Sequence, residues 1–171
     1  MHAGRWERGG RRVSVPRDNA TTPMYLRDGA LVPMQPGVAT DGSMQLSSIE
    51  MVVALSASHR GVSRMEYVAD DGLSFGYRRG KRTRLAITAR RRGGALELNV
   101  RTLAAGFGAV QIAPVTLERQ LSVVMVADGT RRELRPTRMT LALAGRPVRA
   151  WKWRQQVAER VVRRRVSTGS T

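Results

Sequence analysis

Two stretches of strict two-residue alternation, separated by a short Arg/Gly segment, constrain this chain more than any other feature. Leu85, Ile87 and Ala89 share one face of Arg84 to Ala89, and Leu96, Leu98 and Val100 share one face of Ala95 to Arg101, with Glu97, Asn99 and Arg101 opposite. Successive side chains of a strand leave opposite faces, so the pattern specifies two strands, each with one buried side. Arg90 to Gly94 closes them into a hairpin. Slipping the register by one residue would turn every apolar side chain to water, so the pairing is strongly specified.

The remaining chain repeats this style in shorter pieces. Strands are expected at Arg12 to Val15, Met24 to Arg27 and Ala30 to Met34, with Asp28-Gly29 as a tight turn between the last two. Pro33 and Pro36 confine the third piece to an edge or an end, because proline offers no N–H to a ladder. Ile49 and Met51 to Leu55 form an unbroken apolar run within Leu46 to Leu55, which suits a strand buried on both faces. Met65, Tyr67 and Ala69 alternate with Glu66 and Val68, and Asp71-Gly72 supplies turn chemistry before Phe75 and Tyr77. Ala109 to Ile112, Leu121 to Val126, Met139 to Leu143 and Val148 to Trp153 complete the set, with Asp128-Gly129 and Ala144 to Pro147 between the last three. The expected class is all-β, an antiparallel β-sandwich or two, divided into a partial first piece at 1–62 and a fuller second at 63–153. From Arg154 the spacing changes: Ala158, Val162 and Val166 recur every fourth residue among arginines, which predicts a short basic amphipathic helix and tail over 154–171.

Composition removes several functions. The 171 residues contain no cysteine, so disulfides and thiolate metal sites are absent together. No apolar run approaches the roughly 20 residues of a membrane helix, and the N-terminal residues lack the apolar stretch of a signal peptide, so a cytoplasmic location is expected. Net charge is +17, with 30 basic residues of which only Lys81 and Lys152 are lysine. Arginine clusters at Arg78 to Arg84, Arg90 to Arg92 and Arg160 to Arg165 imply nonspecific affinity for nucleic acid at low salt.

Two motifs point to a more specific reading. The first is Tyr25 to Pro36, containing Arg27, Gly29 and Pro33; the second is Tyr67, Asp70, Asp71 and Gly72, followed by Ser74, Tyr77 and Gly80. Separated by a hydrophobic strand, they resemble the region behind the catalytic barrel in glycoside hydrolase family 31, the α-glucosidase and α-xylosidase family. Trp6 and the Gly9-Gly10 pair are similar to the stretch that precedes the first motif there. The resemblance runs from about Trp6 to Gly80, is architectural to about Trp153 and is absent beyond. It implies a remnant of the family's proximal C-terminal sandwich followed by its distal one. The family's catalytic carboxylates belong to the barrel, so no position here inherits a catalytic role. The implied function is accessory, stabilising or shaping a barrel carried by a separate polypeptide, or the chain is the product of a truncated gene. Exposed edges of an incomplete first sheet would favour self-association or that partner.

Residues tested for independent chemistry give little. Asp70 and Asp71 are adjacent carboxylates, but neighbours at a strand end diverge, whereas glycosidase carboxylates face each other across roughly 5 to 9.5 Å. A calcium loop would need more spaced acidic ligands. His2 and His59 are the only histidines, too few for a zinc site, and no local signature supports a Ser/His/Asp triad on His59. No catalytic, cofactor or metal residue is therefore assigned. Tyr25, Arg27, Tyr67, Phe75, Tyr77, Trp151 and Trp153 pack across strands or form a sugar-stacking surface. Two other classes thus stay open: a stand-alone carbohydrate-binding module contacting α-glucans, and an arginine-rich nucleic-acid-binding protein.

Overall fold

The structure, a computed structural model, describes residues 6–14, 24–35, 48–116, 122–143 and 146–155. Nine strands form within them: β1 Ala30–Met34, β2 Ser48–Ala54, β3 Val62–Ala69, β4 Thr83–Arg92, β5 Ala95–Ala105, β6 Gln111–Thr116, β7 Ser122–Ala127, β8 Thr130–Leu143 and β9 Arg146–Gln155. A single 3-10 helix, Phe75–Arg79, lies between β3 and β4. The chain is all-β over the described residues.

Hydrogen bonding links the strands in the order β1-β2-β6-β9-β8-β7-β5-β4-β3. The ladder turns back on itself, so β2 faces β4, β5 and β7 across a shared interior. Ile49, Met51, Val53 and Leu55 pack there against Leu85, Ile87, Ala89, Leu96, Leu98, Val100, Val123, Met125 and Leu134. Residues on both sides of position 62 therefore build one core. The other side of β2 is also covered, Val52 packing with Val115 and the partly buried Leu26, Val32 and Met34. That double burial is what the unbroken apolar run requires.

The β4–β5 hairpin forms, with Ala89 opposite Leu98 and Ile87 opposite Val100, so the apolar faces of the two strands meet. Its turn is tighter than Arg90 to Gly94, since both strands continue until only Gly93 and Gly94 remain between them. A bulge between Arg84 and Leu85 shifts the last pairs. Among the described residues β1 has β2 as its only ladder partner, and it carries Pro33 opposite Met51, an edge position of the kind proline tolerates.

Several expectations are corrected. Arg12 to Ser14 and Met24 to Arg27 are not strands. Asp28-Gly29 does turn the chain, but into β1 alone, so no hairpin with Met24 to Arg27 exists. Phe75 and Tyr77 lie in the 3-10 helix rather than a returning strand. Two pairings are parallel, β2 with β6 and β5 with β7, so the ladder is mixed rather than wholly antiparallel. Alternation assigns faces within a strand but says nothing about which strand lies beside it, and these crossovers need partners from the opposite layer. Arg154 and Gln155 end β9; the rest of the expected helix, 156–171, lies outside the described residues, as do His2 and Pro36.

Candidate functional site

Three Asp-containing turns hold the residues that the sequence singles out, and all three work alike. Asp28 lies in the turn before β1 and reaches the end of β2. Its Oδ1 accepts the Ser56 amide at 2.9 Å and its Oδ2 the Ser56 hydroxyl at 2.7 Å. Asp71 accepts the amides of Leu73 and Ser74 at 3.2 and 3.0 Å and the Ser74 hydroxyl at 2.5 Å. Asp128, in the β7–β8 turn, accepts the Thr102 amide at 2.7 Å and its hydroxyl at 2.8 Å. Each carboxylate thus ties down both the backbone N–H and the hydroxyl of one Ser or Thr, and Asp71 holds the Leu73 amide as well. Hydrogen bonds to a charged acceptor are the strong ones.

The ionisation of these groups follows from their bonds. Burial pushes the Asp28 carboxyl up, yet the Ser56 amide and hydroxyl together with His59 outweigh it and hold it below the usual aspartate value of 3.8. The Ser74 hydroxyl, then the Ser74 and Leu73 amides, lower Asp71 in the same sense. The Thr102 amide and hydroxyl lower Asp128. A general acid at neutral pH needs the opposite, a carboxyl raised toward the working range. All three are built to stay ionised.

A folded-state pKa below the unfolded one contributes stability that is complete above the unfolded value and lost as pH falls through the folded value. Stability should therefore hold down to about pH 4 and decline below it, the ordinary aspartate value being 3.8. Thermal midpoints measured from neutral pH down to strong acid check this. The acid decline should be shallower in Asp28→Asn and Asp128→Asn than in the parent chain.

Around Asp28 the residues come closest to an active-site arrangement. His59 Nδ1 lies 3.4 Å from Asp28 Oδ1, and the Ser56 and Ser58 hydroxyls are 2.9 Å apart. The order of contacts is wrong for nucleophilic catalysis, which needs a serine hydroxyl on the far nitrogen of the imidazole. His59 Nε2 has no hydrogen-bond partner among the described residues and is buried, as is the Ser63 hydroxyl. Gly29 fits between them: a methyl there would lie 3.0 Å from His59 Cε1 and 3.3 Å from Ser63 Oγ, and its φ is +92°. Both the close approach and the left-handed backbone require glycine. Gly29→Ala should cost about 2 kcal/mol in chemical denaturation, from αL strain and contact combined. Nothing local in the sequence links Asp28 to His59 or Ser63, since the contact is made by β1 approaching β3.

The second motif is also structural throughout. The Gly72 amide donates to Asp70 Oδ1 at 2.9 Å, so the adjacent carboxylates serve different amides. Ser74 caps the 3-10 helix by accepting the Gly76 amide at 3.0 Å. Gly80 ends it with φ +83°. Tyr67 is half-buried at the margin of the core, where desolvation raises its phenol. Tyr77 lies tilted to Phe75 with ring centroids 6.3 Å apart. Arg78 lies 4.8 Å from the centre of Phe75 and 5.8 Å from that of Tyr77, so the exposed Phe75 already has a cation over its ring. Arg27, exposed, contributes its carbonyl, which accepts the Ala30 amide at 3.0 Å.

Tyr25 is exposed and precedes β1, Tyr67 packs on the core, and Phe75 is exposed in the 3-10 helix. Among the described residues no three metal-ligating side chains converge, and no helix is long and apolar enough to cross a membrane. No protein-family model matches the chain, and no curated protein matches it either.

Proposed function

We propose that the chain is a noncatalytic accessory β-sandwich of the kind that family 31 α-glycosidases carry behind their barrel, acting on a barrel outside these residues. The observation that supports this most is the complete structural use of the two motif corners. The carboxylates of Asp28, Asp70 and Asp71 are all engaged by backbone amides of their own or a neighbouring turn. A scaffold needs such corners, and an acid/base pair could not use them. The test is to supply the chain in trans to a family 31 barrel produced without its C-terminal region. Formation of a complex with a raised thermal midpoint is the expected result, with no turnover of aryl α-glucosides by the chain alone. Turnover by the purified chain would reject the proposal.

A second reading, nucleic-acid binding, rests on the β8–β9 pair. Arg131, Arg135 and Arg138 are exposed on β8, and the register sets Arg135 opposite Arg154. Like charges directly opposite destabilise a sheet unless a counter-charge is present. Fluorescence anisotropy with a labelled oligonucleotide should show affinity falling steeply with salt. Alanine at all three β8 arginines should weaken binding more than alanine at Arg78, Arg79 and Arg92, if the ribbon is the site.

A further inference from the structure

We infer that the free edge of β3 pairs with the same strand of a second copy, antiparallel and centred on Met65. Among the described residues the ladder ends at β1 and β3. Pro33 blunts the first edge, but β3 runs from Val62 to Ala69 without proline. Such an edge presents unpaired backbone groups to any second strand. Its inward residues, Ser63, Met65, Tyr67 and Ala69, are buried or half-buried, and its outward residues are Val62, Arg64, Glu66 and Val68. Val62 and Val68 are exposed by 41% and 48%, high for branched apolar side chains.

The outward series apolar, cationic, anionic, apolar is complementary to itself read backwards. Antiparallel pairing about Met65 sets Val62 opposite Val68 of the copy and Arg64 opposite Glu66, each twice by symmetry. That is the self-complementary interface a two-fold dimer requires. Moving the register by two residues in one direction sets Glu66 against Glu66, and in the other Arg64 against Arg64. A shift by one turns the outward face inward. One register is therefore selected and its neighbours are repelled, a combination of attraction and exclusion that specificity needs.

β1 approaches β3 where Gly29 meets Ser63, an inward residue at the start of the strand, and the outward charged residues keep groups to offer. Glu66 accepts from Arg84 Nε at 2.5 Å, and that hydrogen bond, with the Arg84 and Arg82 charges behind it, holds its carboxyl below the ordinary value, so it is ionised and has an oxygen to offer. Among the described residues Arg64 makes a long contact, 3.4 Å to the Val62 carbonyl on its own strand. The net charge of +17 on each copy opposes association and is screened by salt, so the dimer should tighten from low to physiological ionic strength. Salt has the opposite effect on nucleic-acid binding, which separates the two interactions.

Sedimentation equilibrium of the full chain, from micromolar to submillimolar concentration, tests the pairing. The parent should dimerise, and Arg64→Glu alone or Glu66→Arg alone should weaken the dimer at least about tenfold, because two attractive pairs become repulsive. Mixing the two variants should restore association, since the doubly acidic strand of one then faces the doubly basic strand of the other. A parent that stays monomeric, variants that dimerise unchanged, or a mixture that fails to recover would each overturn the inference. Circular dichroism establishes that each variant is folded. Should Glu66→Arg unfold for want of its bond to Arg84, Val68→Lys takes its place, and undiminished dimerisation in that variant would equally overturn the pairing. The result is independent of the proposed accessory role.

Discussion

Replacing Gly106 by alanine is expected to destabilise the fold by about 3 kcal/mol, a large effect for adding one methyl group. Gly106 follows β5 and donates its amide to the Arg82 carbonyl at 3.0 Å, while Arg82 donates to Gly80 at 2.8 Å. These bonds draw the end of β5 against the segment that leaves the 3-10 helix. A methyl on Gly106 would sit inside the van der Waals shell of the Gly80 carbonyl oxygen, and 3.2 Å from that of Arg82. Both neighbours are backbone, so no side chain can swing aside. Relief would require pulling β5 away from Gly80, which breaks the bonds that define the corner. Gly94→Ala is the control, because a methyl there meets nothing within 4 Å. Urea unfolding of the two variants should separate them clearly, Gly94→Ala remaining within about 0.5 kcal/mol of the parent. Equal midpoints would show that the Gly80 corner is soft.

Gly106 also marks the limit of what sequence reveals here. The β4–β5 hairpin was legible because Leu85, Ile87, Leu96 and Leu98 alternate without exception, and period two has one structural meaning. β2 was legible because its apolar run is short and continuous. Met24 to Arg27 is not a strand, because no strand among the described residues forms a ladder with it. The motif corners were legible as turns from Asp-Gly pairs. Their actual partners were not: Asp28 finds Ser56, and Asp128 finds Thr102, through strand placement rather than local spacing. The parallel pairings of β2 with β6 and β5 with β7 were likewise invisible, since register between layers is set by how the whole ladder folds. His59, one of two histidines, proves to be held by Asp28, a contact that depends on Gly29 leaving room.

That dependence of one segment on another leads to the second large effect. Met51→Ala should cost about 3 kcal/mol, the usual range for emptying a fully buried methionine site. Met51 lies in the middle of β2 with no exposed surface and touches the core built by β4, β5 and β7. Its register neighbours are Pro33 on β1 and Pro114 on β6. Neither proline can donate a backbone N–H, so side-chain packing holds this row of the ladder more than hydrogen bonding does. The consequence reaches beyond β2. If residues before and after position 62 were separate folding units, the loss would stay in the first and leave the amides of Leu96, Leu98 and Val100 as protected as before. Because one core spans both, hydrogen exchange at those β5 amides should accelerate by the full amount of the destabilisation, about a hundredfold. Urea unfolding should remain a single transition followed equally by tryptophan fluorescence and circular dichroism. Retained β5 protection alongside a lost β2 would instead define two units, with the boundary between β2 and β3.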